Sequence, residues 1–407
     1  MTSALFSRRA LVRGLAFSSF SLALALVGCK PAAETNSASP GNTAVSTNTT
    51  DTNSSGDTIK IGHFGSLTGA TATFGTSTDK GIKMAFEEID AAKPPLGKKL
   101  ELITADDSSQ PAQVPSAVKS LLGKSNVIVL MGEVSSKLSK IAAPIAQSAG
   151  VPMVSPASTN PDVTKAGDHI FRTCFIDPFQ GSVMAKFAAQ NLKAKKAAIL
   201  TDVANDYSKG LTQFFTQEWT KNGGTIVDAE SYSQGDKDFS SQLTKIKAAN
   251  PDVIYVPGYY NEVGNIAVQA RRQGITQPMM GGDGWDSPKL FEIGGAAVQG
   301  CYFSNHYSPQ SKDPKVVKFV TDFKNKYGEV PDAMAALGYD AAYVVSDAIA
   351  RAGSEDKSKI RDALAATKNF AGVTGTISID KDRNAVKSAV VLKIEGNEGK
   401  YVTTIKP

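Results

Sequence analysis

The chain has 407 residues, 41% of them hydrophobic and 20% charged, with a formal net charge of +5. That composition belongs to a globular protein long enough for two domains, and it excludes a chain too polar to build a core. Three of the positive charges, Arg8, Arg9 and Arg13, lie in the first 28 residues, which hold no acidic residue; the remainder carries no basic block, which excludes a nucleic-acid binder.

At the N-terminus the three arginines precede an apolar run from Gly14 to Val27, shorter than the ~20 residues a spanning helix needs. The pattern predicts a signal peptide over 1–28 and hence an exported protein. Leu26-Val27-Gly28-Cys29 resembles the bacterial lipobox, which makes Cys29 the expected lipidation site and the lipid a membrane anchor. Ser7-Arg8-Arg9-Ala10-Leu11 also resembles a twin-arginine signal, so the export route stays open. From Cys29 to Asp57 the chain is mostly Ala, Ser, Thr, Asn, Gly and Pro, a flexible linker with almost nothing to bury. Beyond it only Cys174 and Cys301 remain, so a core rather than a cysteine framework is expected to hold the fold.

The folded part begins with an alternating strand, Thr58 to Gly65, that runs into the polar loop Ser66 to Thr78. A helix with Ile82, Ala85, Phe86 and Ile89 on one face follows, then a strand from Lys99 to Ala105 and a helix from Val114 to Leu122. Asp106-Asp107, after that strand, reads as caps more readily than as a metal or acid pair. Val127–Met131 and Val151–Ser155 are short apolar runs, and Leu138, Ile141, Ala142 and Ile145 lie between them at helical spacing, a β-α-β unit. Ligands of parallel sheets sit beyond the carboxyl ends of strands, where Ser135, Ser136 and the Ala157-Ser158-Thr159 loop fall. On spacing alone those hydroxyls serve equally well as ordinary turn residues.

After an extended segment, His169 to Thr173, and a helix from Phe179 to Leu192, β-α units recur: strands at Lys196–Asp202, Gly224–Glu230, Asp252–Pro257 and Pro278–Gly281, with helices between. Helical segments at Pro314–Tyr327, Ala333–Ala352 and Lys357–Thr367 come next, then strands at Gly375–Ile379, Val386–Ile394 and Tyr401–Ile405. The fold class expected is α/β, with two doubly wound, Rossmann-like lobes and a cleft between them.

Catalytic motifs are missing. The sequence holds no phosphate-cradling Gly-rich loop, H-E-x-x-H, C-x-x-C or G-x-S-x-G, and the lone His63, His169 and His306 give metal or Ser-His chemistry little support. The expectation is a non-enzyme without metal or cofactor. What the strand ends offer instead suits an amino-acid zwitterion. Hydroxyls of Ser136 and Thr159 at a helix N-terminus suit a carboxylate, Asp283 between Gly282 and Gly284 suits an ammonium, and Phe74, Tyr207, Tyr259 and Trp285 suit an apolar side chain.

From Thr58 onward the chain resembles the leucine/isoleucine/valine-binding protein family, receptors of ABC importers with the type I periplasmic-binding-protein fold. The resemblance rests on patches in the family's order, among them Leu67-Thr68-Gly69, Phe74-Gly75, Ser135-Ser136, Pro156 to Pro161, Phe171-Arg172-Thr173, Asp206 to Gly210, Gly258-Tyr259 and Gly338 to Ala341. It implies that Ser136, Ala157, Thr159, Tyr207, Tyr259 and Asp283 hold the ligand's α-carboxylate and α-ammonium, with Phe74, Ser135, Ser158 and Trp285 in the same site. It implies three hinge crossings near Thr173, Ser304 and Gly372, which assigns 58–173 with 305–372 to lobe one and 174–304 with 373–407 to lobe two. Cys174 and Cys301 then fall near hinge strands, where they could pair. The leucine-binding members carry Glu at the position of Asp283, Tyr at that of Phe74, and a disulfide at those of Ser109 and Ser135. The function implied is a monomeric lipoprotein that binds a neutral, branched-chain amino acid and hands it to a membrane permease. A receptor or sensor for urea or short amides is the alternative, and an exported hydrolase lacks a recognisable nucleophile with its base.

Overall fold

The computed structural model describes residues 58–407; the expected signal peptide, Cys29 and the linker lie outside the described residues. The first lobe is built from β1 (Thr58–Gly65), α1 (Ala72–Ala92), β2 (Lys99–Asp106), α2 (Val114–Gly123), β3 (Val129–Met131), α3 (Ser136–Ser148), β4 (Met153–Ser155) and β5 (Ile170–Arg172). All five strands are parallel, in the order β2-β1-β3-β4-β5. Short strands such as Val-Leu-Met and Met-Val-Ser are buried on both faces, which explains why they do not alternate between apolar and charged residues. α3 turns Leu138, Ala142 and Ala146 into that sheet's core and starts at Ser135, whose side chain caps nothing.

The chain then builds the second lobe: α4 (Asp177–Gln190), β6 (Lys196–Asp202), α5 (Asp206–Lys221), β7 (Thr225–Tyr232), α6 (Ser240–Ala249), β8 (Val253–Tyr255), α7 (Tyr260–Arg272), β9 (Met279–Gly281), α8 (Pro288–Gly294) and β10 (Tyr302–Asn305). It returns through α9 (Pro314–Tyr327), α10 (Ala333–Ala352), α11 (Lys357–Ala365) and β11 (Phe370–Gly372), β12 (Gly375–Ile379) and β13 (Ala385–Val386). Residues of α9, α10 and α11 pack with Ile59, Ile61 and Ile82 of the first lobe. β14 (Ala389–Glu395) and β15 (Glu398–Ile405) end the chain. They extend the second sheet antiparallel from β10, giving the order β15-β14-β10-β9-β8-β6-β7.

The last crossing between lobes differs from the expected position near Gly372. Ile377 and Ile379 of β12 and Ala385 of β13 are buried with the first lobe's residues, and the second lobe's core regains the chain only at Ala389. The three-stranded sheet β11-β12-β13 therefore stays with lobe one, and the crossing lies at Lys387-Ser388. β10 and α8, which no apolar periodicity announced, fill the approach to the second crossing.

The two thiols are also not paired. Cys174 lies at the cleft end of β5 and donates to the Ser158 carbonyl at 3.3 Å, whereas Cys301 precedes β10 at its opposite end and accepts from Arg271 at 3.6 Å. A strand of four residues spans about 10 Å, which separates them too far for a disulfide.

Candidate functional site

The strands of both lobes end at one interface. Phe74, Val134 and Ala157 of lobe one are buried in the same apolar cluster as Tyr207 and Tyr259 of lobe two. Phe74 meets Tyr259 edge-on at 5.4 Å and Tyr260 at 5.0 Å, while Tyr207 stacks on Tyr259 at 5.2 Å. Polar contacts close the rim: Lys140 to Asp206 at 2.9 Å, the Asn160 side chain to the Asp206 carbonyl at 3.0 Å, Tyr260 to the Ala70 carbonyl at 3.0 Å, and Thr73 to Ser287 at 2.9 Å.

On the lobe-one side, Ser135 accepts from the Tyr259 hydroxyl at 3.4 Å, and its backbone N–H is held by Glu133. Burial, reinforced by the Asp107 charge, pushes the Glu133 carboxyl up to about 8. The Ser136 hydroxyl accepts the Asn160 N–H at 3.2 Å. Ser158 has a structural task, donating among the Glu133 and Val134 carbonyls and meeting Ser139 at 2.7 Å, so it fastens one loop to the other. The Thr159 hydroxyl is buried with no hydrogen-bond partner, and Ala157 is buried beside it in sequence. An uncapped α3 and a partnerless hydroxyl leave donors without acceptors, the deficit a bound anionic oxygen would fill.

On the lobe-two side Asp283 opens the turn after β9 and is only 3% exposed. Its Oδ1 accepts from the Gln180 amide at 2.7 Å and the Tyr207 hydroxyl at 2.9 Å; its Oδ2 lies 2.9 Å from His306 Nε2. Tyr207 also accepts the Gly284 N–H at 3.0 Å, which fixes the turn to α5. A side chain at Gly282 would meet the Tyr207 oxygen at 2.4 Å, so only glycine lets the turn approach this closely. α4 bridges the halves: the Asp177 N–H donates to the Thr159 carbonyl at 2.9 Å, and one turn later Gln180 reaches Asp283.

Trp285 is not at the cleft, contrary to expectation. Its indole N–H donates to the Val256 carbonyl at 3.0 Å, its ring stacks on Phe303, and it fills the space a side chain at Gly281 would take. An aromatic at a strand end serves a core as readily as a pocket, and here it packs inside lobe two. Asp106 and Asp107 cap no helix. They bind the Ser66–Thr68 loop, Asp106 through the Thr68 hydroxyl at 2.6 Å and Asp107 through the Ser66 hydroxyl at 2.8 Å. Among the described residues no cluster of His, Cys, Asp and Glu is arranged to hold a metal ion, and no helix is long and apolar enough to cross a membrane.

Three residues at this site were absent from the sequence-based set: Gln180, His306 and Asp177. Each stands at the start of a helix or just past a hinge strand, positions that carry no motif of their own.

Residues 58–400 match the model of the periplasmic binding protein family. The chain is 34% identical over 323 residues to Leu/Ile/Val-binding protein homolog 3 of Brucella melitensis, which covers 79% of this chain and 86% of that protein. Among solved structures it is similar to the leucine-binding protein LivK of Thermotoga maritima, with 44% identity and a TM-score of 0.82, covering 86% of this chain and 99% of that one. It is also similar to the branched-chain amino acid transporter substrate-binding protein LivJ of Streptococcus pneumoniae, solved with isoleucine, with 37% identity and a TM-score of 0.82, covering 86% of this chain and 100% of that one.

Proposed function

The chain belongs to the periplasmic binding protein family, among the Leu/Ile/Val-binding proteins, and from that premise we propose that it binds a neutral, branched-chain amino acid between its lobes and delivers it to an ABC permease. The α-carboxylate sits at the uncapped start of α3, against Ser135, Ser136 and the Thr159 hydroxyl, with Ala157 contributing backbone. The α-ammonium is received by Asp283, and the side chain lies against Phe74, Tyr207 and Tyr259. The protein binds and releases its ligand without transforming it, works as a monomer, and is held at the membrane by lipidated Cys29, an attachment that mass spectrometry of the N-terminal peptide would test.

One observation carries this reading. A partnerless hydroxyl beside an uncapped helix start in one lobe is joined through the first turn of α4 to a buried carboxylate in the other. Complementary charge from two separate lobes matches a zwitterion and gives the closed state its advantage, because both halves engage only there. Urea and short amides have no ammonium to use Asp283.

Titration calorimetry of the ligand-free mature protein against isoleucine, leucine, valine, acetamide and urea tests the reading. Asp283→Asn should weaken isoleucine about a hundredfold or more, the loss of a buried charged partner. Heat from the amides alone, or an Asp283→Asn variant with unchanged isoleucine affinity, would overturn it.

A further inference from the structure

His306 belongs to none of the sequence patterns that point to the cleft, yet it touches the residue at the cleft's centre. It follows β10 directly, where the chain leaves lobe two. Its ring stacks on Phe175, from the first crossing, with centroids 3.8 Å apart and planes 17° from parallel. Its Nε2 lies 2.9 Å from Asp283 Oδ2, and its exposure is 2%. An ionised carboxylate only accepts, so the Nε2 atom carries the hydrogen and His306 donates. Its Nδ1 is buried without a partner.

The count of bonds at Asp283 gives this contact a purpose. A carboxylate has about four acceptor sites. Gln180, Tyr207 and His306 take three, leaving one for an incoming ammonium N–H. Gln180 is itself braced by Ser304 at 3.0 Å, so two of the three donors are anchored at the second crossing. These three donors define where the Asp283 carboxylate stands.

We propose that His306 is a positioning residue: its neutral imidazole holds Asp283 in place to receive the ligand's ammonium, and its protonation cancels that carboxylate's charge and releases the ligand. The inference rests on the reading of Asp283 given above. The groups facing His306 set the balance. Asp283 favours the imidazolium, while burial and the Lys387 ammonium at the third crossing oppose it. Around this pair stand Asp286, which accepts from the Asn305 amide at 2.9 Å and is raised by burial and by the Asp283 charge, Asp340 facing Lys387, and Cys174 and Asp177 beyond Phe175, both of which burial keeps largely protonated near neutrality. A proton on Nδ1 would be a buried donor with no acceptor, which adds to the cost of charging the ring. His306 is therefore neutral at pH 7, and imidazolium forms only below the usual range around 6.5.

The test is the pH dependence of isoleucine affinity, by calorimetry from pH 7.5 down to pH 5, for wild type, His306→Gln and His306→Ala. Free isoleucine does not change charge in this range. Wild-type affinity should fall as pH drops, approaching tenfold per unit once His306 titrates. His306→Gln keeps an N–H donor at similar reach without titrating, so it should bind within about threefold of wild type at pH 7.5 and lose clearly less affinity than wild type as pH falls, because the Glu133 and Asp177 carboxyls titrate alike in both. His306→Ala should lose about ten- to a hundredfold at pH 7.5, the value of a hydrogen bond to a charged group. Parallel pH profiles for wild type and His306→Gln, or wild-type affinity in His306→Ala, would overturn the proposal. If His306→Ala lacks a cooperative melting transition, the profile of His306→Gln decides alone. A wild type that binds no amino acid at pH 7.5 sinks the functional reading instead, which keeps the two failures apart.

Discussion

Asp177 opens α4 with its backbone N–H bonded to Thr159 and both carboxylate oxygens buried without a hydrogen-bond partner. Burial pushes its carboxyl up to about 8; the Asp283 charge adds to that shift and the Arg172 guanidinium opposes it. An acid whose folded pKa is raised contributes stability that is fully present below the unfolded value near 4 and is lost as pH rises through the folded one. Asp177 therefore costs most at pH 8 and above. Asp177→Asn, nearly the same shape but without a charge to bury, should raise the melting temperature at pH 8 by an amount equivalent to a few kcal/mol and change it little at pH 4. A lower melting temperature for Asp177→Asn at pH 8 would show that the ionised form is needed in the fold. The same site illustrates what a sequence conceals at the residue scale. Ser136, Thr159, Tyr207, Tyr259 and Asp283 could be nominated because hydroxyls, aromatics and a carboxylate at strand ends form a recognisable set. Gln180 and His306 could not, because their role comes from reaching Asp283 across 103 and 23 residues of chain.

At the scale of elements, α1 and α10 show how small residues decide a contact. Both helices are long and buried along one side, and they approach so closely that a methyl group on Gly338 would lie 2.5 Å from the Thr78 carbonyl oxygen. A methyl on Gly81 would lie 2.0 Å from that of Ala335. Gly338→Ala would gain a little helix propensity, about 1 kcal/mol, and lose more by forcing the helices apart. Thermal unfolding should show a net loss of about 1–3 kcal/mol. An equal or higher melting temperature would mean that the helices separate freely. The elements were legible where the pattern was long or unbroken: β1, α9 and α10 begin and end within a residue or two of the periodic segments. β10 was missed because Tyr-Phe-Ser-Asn is four residues with a polar end, and α8 because seven residues are too few to establish a period. β12 was recognised as a strand but assigned to the wrong lobe, because its alternation is the same whichever core receives Ile377 and Ile379.

For the whole molecule the question is what sets the balance between open and closed lobes, since affinity includes the free energy of closure as well as the ligand's own contacts. The rim contacts contribute to that balance without touching the ligand site. Lys140 of α3 lies 2.9 Å from Asp206 of α5 and 3.6 Å from Asp162, with its side chain 32% exposed. A pair of this exposure is worth about 0.2–1 kcal/mol, and it is weakened by salt. Lys140→Ala removes an interaction between the lobes that the open state lacks, so it should shift the population toward open and lower isoleucine affinity about two- to fivefold. The loss should appear mainly as faster dissociation, because the contact forms after the ligand has entered. Stopped-flow measurement of dissociation in 50 mM and 500 mM salt would separate this from a local defect: the difference between wild type and Lys140→Ala should shrink in high salt. A difference that stayed constant with salt would mean that Lys140 acts through packing of its aliphatic stem, and unchanged kinetics in low salt would mean that closure is governed by the aromatic contacts of Phe74 with Tyr259 and Tyr260 rather than by charge.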